Sequence, residues 1–237
     1  MTVWALSDPH LSFTDSFTSA KPMHVFGERW RNHWEKIERG WRSQVAANDV
    51  VLVTGDVSWA RRFDRSLPDL EWLAALPGVA KLLVRGNHDI WWPQGEAEWA
   101  RLPPTLTLLG GTAVEMQGRV FCGTGGWLAP QDPYFEPLDR PSFERELAAL
   151  ERALEAAATL ERGRGIHVLI HFSPHTSAGT PTDFDRLLRR YPVRSATFGH
   201  FHLDTEWERA PRGLIDGIHY NLASADYLDF APVRLPI

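Results

Sequence analysis

The stretch Lys81-Leu82-Leu83-Val84-Arg85-Gly86-Asn87-His88-Asp89 decides the fold. Its first four residues form a short apolar run that reads as a buried strand. Asn87, His88 and Asp89 then sit at the strand's end, where open α/β sheets bind their ligands. Asn and Asp are also ordinary turn residues, so the weight comes from repetition. Four further strand-like runs empty in the same way. Residues 2–6 lead into Asp8-Pro9-His10, 50–54 into Gly55-Asp56, 166–170 into His171, and 195–198 into Gly199-His200-Phe201-His202.

Between these runs the apolar spacing changes from strand to helix. Trp30, Trp34, Ile37, Trp41 and Val45 fall on one helical face. A second helix is expected from about Leu67, with Pro68 near its first turn and Leu70, Leu73 and Leu76 inward. The result is a β-α-β-α-β order, which favours parallel strands and right-handed crossovers. After Trp91-Trp92-Pro93, the runs 105–109, 112–116 and 119–123 predict a meander of hairpins, split by Gly110-Gly111 and Gln117-Gly118. A Pro- and Gly-rich loop spans about 124–141. A long helix follows over roughly 142–162, with Leu147, Leu150, Leu154 and Ala158 inward and Gly163 closing it. A shorter helix is expected near 182–190, capped by Thr182, and two antiparallel strands near 205–208 and 217–222. No repeat or linker interrupts the pattern, so one domain over residues 1–237 is expected.

Composition narrows the function classes. With 237 residues, 43% of them hydrophobic, the chain can bury a full core. A formal net charge of -5 carries no basic footprint for duplex nucleic acid. The lone Cys122 excludes an internal disulfide and suits a reducing compartment. No apolar run approaches the roughly 20 residues that cross a bilayer. A soluble, cytoplasmic protein with no membrane partner is expected.

Carboxylates, imidazoles and one amide oxygen make a mixed donor set without thiolate. Such a set suits Mn²⁺, Fe or Zn²⁺ and disfavours Ca²⁺, which takes oxygens alone. Asp8, His10, Asp56, Asn87, His171, His200 and His202 are too many for one ion, but fill two sites if one carboxylate bridges. A bridged pair about 3.5–4 Å apart is the arrangement for in-line displacement at phosphorus. Asp56 is the natural bridge, because Gly55 leaves its surroundings open and its strand lies between the other two in sequence. Each residue singly has an ordinary explanation: a cap or turn for Asp8 and Asp56, a chance pair on one strand face for His200 and His202. Five such junctions together argue for a site. His24, His33, His167, His175 and His219 lack that context, although His24 and His175 remain candidate rim residues. The tryptophans of the first helix read as core.

The series Asp-x-His, Gly-Asp, Gly-Asn-His-Asp, a lone His and Gly-His-x-His, in that order from Asp8 to His202, resembles the calcineurin-like metallophosphoesterases. The resemblance implies a four-layer α/β/β/α sandwich, with two mixed β-sheets face to face and helices outside. It also implies ligand roles: Asp8, His10, Asp56 and His202 on one metal, and Asp56, Asn87, His171 and His200 on the other. The chain length and the Lys21-Pro22-Met23 and Trp91-Trp92 segments are similar to a group of small bacterial predicted phosphohydrolases. Two departures matter. The protein Ser/Thr phosphatases continue Gly-Asp with Asp-Arg-Gly and carry Gly-Asn-His-Glu, whereas this chain has Val57-Ser58-Trp59 and Asp89 at those places. Pro9 stands where many relatives have a larger apolar residue.

Charge dictates the expected mechanism. Two divalent ions, Mn²⁺ first among them, turn a bridging water into hydroxide near neutral pH, and it attacks phosphorus in line with the leaving oxygen. His88 is the candidate general acid, with Asp89 orienting it and keeping it protonated. Arg85, Trp91 and Trp92 are near enough in sequence to touch substrate, the tryptophans by stacking on a ring or else by packing beneath the loop. The expected activity is hydrolysis of a phosphomonoester or phosphodiester of a small molecule. Rival readings are a cyclic-nucleotide phosphodiesterase, a nucleotide-lipid pyrophosphohydrolase, and a catalytically silent protein-binding scaffold. The Pro-rich, acidic-leaning residues 128–140 weigh against the lipid substrate, and the complete ligand series weighs against the scaffold.

Overall fold

The computed structural model describes residues 1–13 and 23–237; Lys21-Pro22 of the expected loop lies outside them. Along the chain run β1 (Val3–Ala5), α1 (His33–Gln44), β2 (Val50–Val53), α2 (Phe63–Ala75), β3 (Ala80–Leu83), α3 (Glu96–Trp99) and β4 (Leu106–Leu108). Next come β5 (Thr112–Met116), β6 (Arg119–Thr124), α4 (Arg140–Leu160), β7 (Ile166–Ile170), α5 (Asp183–Leu188) and β8 (Val193–Phe198). The chain closes with α6 (Asp204–Arg209), β9 (Gly213–Ile215), β10 (Ile218–Leu222) and β11 (Val233–Arg234).

Two mixed sheets result, of order β11-β1-β2-β3-β4 and β5-β6-β7-β8-β10-β9. Strands β1 to β4 are parallel, as are β6, β7, β8 and β10, and the antiparallel members stand at the edges. The two-residue period of a strand sorts each one's side chains between two cores. Val50, Leu52, Ala80 and Leu82 point into the layer between the sheets, where they meet Phe121 and Leu169. Val51, Val53 and Leu83 face outward onto Ile37 and Trp41 of α1 and Leu70 and Leu73 of α2. On the far side, Val120, Cys122, Val168 and Ile170 pack against Leu150, Ala153, Leu154 and Ala157 of α4. The order of layers is helix, sheet, sheet, helix. No helix among the described residues is long and apolar enough to cross a membrane.

Four local expectations are corrected. Residues 105–123 are not one meander: β4 joins the first sheet parallel to β3, and the Gly110-Gly111 link crosses to the second sheet, where β5 and β6 form the hairpin. The segment 205–208 is not a strand. It lies in α6, where the Glu206 carboxylate turns back to accept hydrogen bonds from the Leu203 and His202 amides and stabilises the helix start. The antiparallel partner of β10 is β9. Trp30 lies outside the first helix, because Asn32 adopts a left-handed conformation (φ 53°) and α1 begins only at His33. Helix α2 also starts a turn earlier than expected, with Phe63 buried, so Pro68 falls in its interior.

Candidate metal centre

The polar junctions all lie at the carboxyl ends of β1, β2, β3, β7 and β8. The two sheets are tied together there by backbone. Ser7 donates to Ala223 O (2.6 Å) and accepts from the Ala225 amide (2.9 Å), so the end of β1 meets the end of β10. The Asp8 and His10 amides donate to the carbonyls of Gly55 and Asp56, each at 3.0 Å, locking the first loop to the second. Four candidate ligands stand in the left-handed backbone region: Asp8 (φ 56°), His10 (46°), Asp56 (51°) and His200 (70°). Each such conformation costs on the order of 1–3 kcal/mol, and clusters of them mark functional sites.

The structure gathers the candidate donors into two adjoining groups. Asp8, His10 and His202 each bring one donor atom within 4.8 Å of the others, and so do Asp56, His171 and His200. Asn87 joins the second group, its Oδ1 2.8 Å from His171 Nε2. Asp56 faces both: its Oδ2 is 3.8 Å from His10 Nε2 and 3.5 Å from His171 Nε2. His10 Nε2 and His202 Nε2 confront each other at 3.4 Å. Two glycines keep this packing possible. A Cβ on Gly86 would overlap the Asp56 carboxylate and amide, and one on Gly199 would overlap Ser7 and the Asp8 carboxylate.

Second partners fix the imidazoles. His171 Nδ1 donates to Thr54 O at 2.8 Å, which turns Nε2 toward the site. His202 Nδ1 donates to the Asp226 carboxylate at 2.9 Å. Asp226 does not stand out in the sequence, yet it follows β10 as the other polar residues follow their strands. Burial pushes His10 and His200 well below the ordinary imidazole range, and His171 below it, so their lone pairs are free near neutral pH. Burial also lifts Asp8 to about 6 and Asp56 to about 7, partly offset for Asp8 by His202 and His171 and for Asp56 by the His88 amide. At His202 burial is outweighed by Asp226 and Asp8, which raise it to about 9. Among the described residues, the ion-pair partners of Asp8 and Asp56 are histidines, not lysine or arginine. Buried carboxylates facing imidazoles made neutral are a donor set that fits divalent cations.

The remaining expected site residues divide. His88 adjoins both groups, its amide donating to Asp56 Oδ1 at 2.8 Å and its ring 5.8 Å from that of His10 and 4.3 Å from that of Trp59. Asp89 does not orient it. The buried Asp89 carboxylate accepts from the amides of Val57, Ser58 and Gly86 and from Trp91 Nε1, at 2.7 to 3.1 Å. Those four bonds use its oxygens to pin the loop. Trp91 and Trp92 are only 1% and 8% exposed and pack in the core, which agrees with packing beneath the loop and not with stacking on a substrate ring. Arg85 is exposed; its Nε bonds to Asp89 O at 3.0 Å, and it lines a small hollow beside Asn87 with Gly125, Trp127 and Arg145. Trp30 and Trp59 line a cleft over the two groups, a position the sequence did not reveal.

The family model for calcineurin-like phosphoesterase matches residues 1–204. No curated protein matches the chain. Among the solved structures that resemble it, two are 16% identical, which speaks to fold alone. One is a protein of unknown function from Aquifex aeolicus, with TM-score 0.50 over 98% of this chain and 95% of that one. The other is the phosphopantetheinyl hydrolase from Mycobacterium tuberculosis, with TM-score 0.55 over 99% and 95%. Since the family match runs from β1 to the first residue of α6, and so takes in every strand end that carries a donor group except that of β10, this chain belongs to the calcineurin-like phosphoesterases, metal-dependent hydrolases of phosphoric esters.

Proposed function

We propose that the chain is a dinuclear phosphoesterase acting on the phosphate ester of a small molecule, with Mn²⁺ as the preferred pair of ions. The observation that carries this reading is the position of Asp56 Oδ2 between His10 Nε2 and His171 Nε2, one oxygen addressed to both groups. In it, Asp8, His10 and His202 would hold one ion, Asn87, His171 and His200 would hold the other, and Asp56 would serve both. When bound, such ions acidify a coordinated water toward neutral pH and neutralise phosphate charge. The protein's own groups do the rest. Thr54 O and Asp226 hold His171 and His202 in the tautomers that turn Nε2 inward. His88, tethered through its amide to Asp56, delivers a proton to the leaving oxygen. Trp59, lying against the His88 ring and stacked on that of His10 (5.0 Å between centroids), limits how far either can turn. Asp89 acts through the loop, by fixing the turn that carries His88.

The test is hydrolysis of bis(p-nitrophenyl) phosphate and p-nitrophenyl phosphate by the Mn²⁺-loaded protein, with metal content measured alongside. Turnover of at least one ester, lost on removing metal, supports the reading; faster diester turnover assigns phosphodiesterase work. A protein that retains no metal and turns over neither ester would instead be a binding scaffold.

A further inference from the structure

The cleft above the two donor groups has a volume of about 590 Å³. That is in the range of roughly 300–1,000 Å³ that holds an organic ligand much larger than a bare phosphate. Its floor is polar and its wall is largely apolar, with Arg29, Asp204 and Thr205 also among the described lining residues. Met23, Phe26, Trp30, Trp59 and Leu203 line it above His10, Asp56, His88 and His202. The apolar wall starts at the proton donor: Trp59 lies against His88, and its indole N–H donates to Met23 Sδ at 3.2 Å. At the mouth stand two large apolar side chains, Phe26 and Leu203, 56% and 61% exposed. Arg29, the arginine among the described lining residues, is already engaged, 3.7 Å from the Asp204 carboxylate and 5.1 Å above the Trp207 ring.

We propose that this wall receives the alcohol portion of the substrate, and that this portion is apolar. The inference rests on reading the floor as the phosphoryl site. The leaving oxygen must come within reach of His88, and what is attached to that oxygen then lies along Trp59 toward Phe26 and Leu203. A second phosphate in that place would lose its hydration against indole, phenyl and leucine side chains, with Arg29, which already faces Asp204, as the arginine among the described lining residues.

The test uses n-alkylphosphonates, methyl to octyl, which carry the anionic head but no ester to hydrolyse. Binding to the Mn²⁺-loaded protein is followed by calorimetry and by the fluorescence of the wall tryptophans. Affinity is expected to rise about two- to fourfold per methylene over the first several carbons. Leu203→Ser and Phe26→Ala should each shrink the octyl-to-methyl affinity ratio by roughly three- to tenfold. Equal affinity for methyl- and octylphosphonate would overturn the apolar wall and leave the phosphoryl site standing. Failure of every phosphonate to bind, methyl included, would overturn the phosphoryl site as well.

Discussion

His10 and His202, from loops 192 residues apart, face each other Nε2 to Nε2 at 3.4 Å. A hydrogen bond between them needs one nitrogen to carry a proton and the other to accept. Asp226, on the far side of His202, favours the proton there by accepting from Nδ1. The same contact holds the ring for metal binding once that proton leaves. Asp226→Ala should therefore weaken Mn²⁺ binding by roughly 10–100-fold with the fold intact, read by calorimetry beside circular dichroism. Unchanged affinity would show that His202 needs no such partner.

Metal binding should release protons. Asp8 at about 6, Asp56 at about 7 and His202 at about 9 all have values above or near pH 6. Each proton must leave before the group can ligate, so affinity rises as pH rises from 6 to 8. Calorimetry in two buffers of different ionisation heat counts the protons. Affinity that falls or stays flat over this interval would contradict the assignment.

His88→Ala should keep its metal and lose roughly 10²–10⁴ in turnover of alkyl esters. The loss should be much smaller for p-nitrophenyl esters, whose leaving group needs no proton. Equal losses on both would remove His88 as the proton donor.

Gly86→Ala tests the close approach of two loops. The added Cβ overlaps the Asp56 carboxylate and amide, so Asp56 must shift. Loss of metal in a chain that keeps its helical circular dichroism is the expected result. A fully metallated variant would show that the loops have room to part.

The second sheet carries a buried polar network away from the metal groups. Asp185 accepts from Arg189 Nε (2.6 Å) and from the Tyr220 hydroxyl, with His175 Nε2 at 3.4 Å. Burial opposes its charge, yet these donors hold it at about 2. With the folded value below the unfolded one, the stabilisation is full above about pH 4 and disappears as pH falls toward 2. Asp185→Ala should cost about 1–3 kcal/mol in urea unfolding at pH 7, with the gap to the parent narrowing between pH 4 and pH 2. A gap that widens there would reverse the sign of the account.

The strand ends were legible because each is a local event: an apolar run, then Gly with Asp, Asn or His. What lay beyond local pattern was partner choice. Nothing in Gly110-Gly111 distinguishes a hairpin from a crossover between sheets, and residues 204–209 are too short for period alone to separate helix from strand. Trp91 and Trp92 are close to His88 in sequence but point beneath the loop, where Trp91 bonds the buried Asp89. Trp59, by contrast, reaches the site because the Leu11 carbonyl accepts from its amide at 3.0 Å and draws the second loop alongside the first. Asp226 resembles its counterparts after the other strands, but it serves through His202 rather than as part of a recognisable pair.

The most direct measurement is the metal content of the parent and of Asp56→Ala after loading with Mn²⁺ and desalting, read by elemental analysis. One carboxylate oxygen facing His10 and His171 predicts roughly two ions per chain in the parent and fewer than about one in the variant, with activity gone. An Asp56→Ala protein that still holds its full complement of ions would contradict the shared carboxylate on which the site is built.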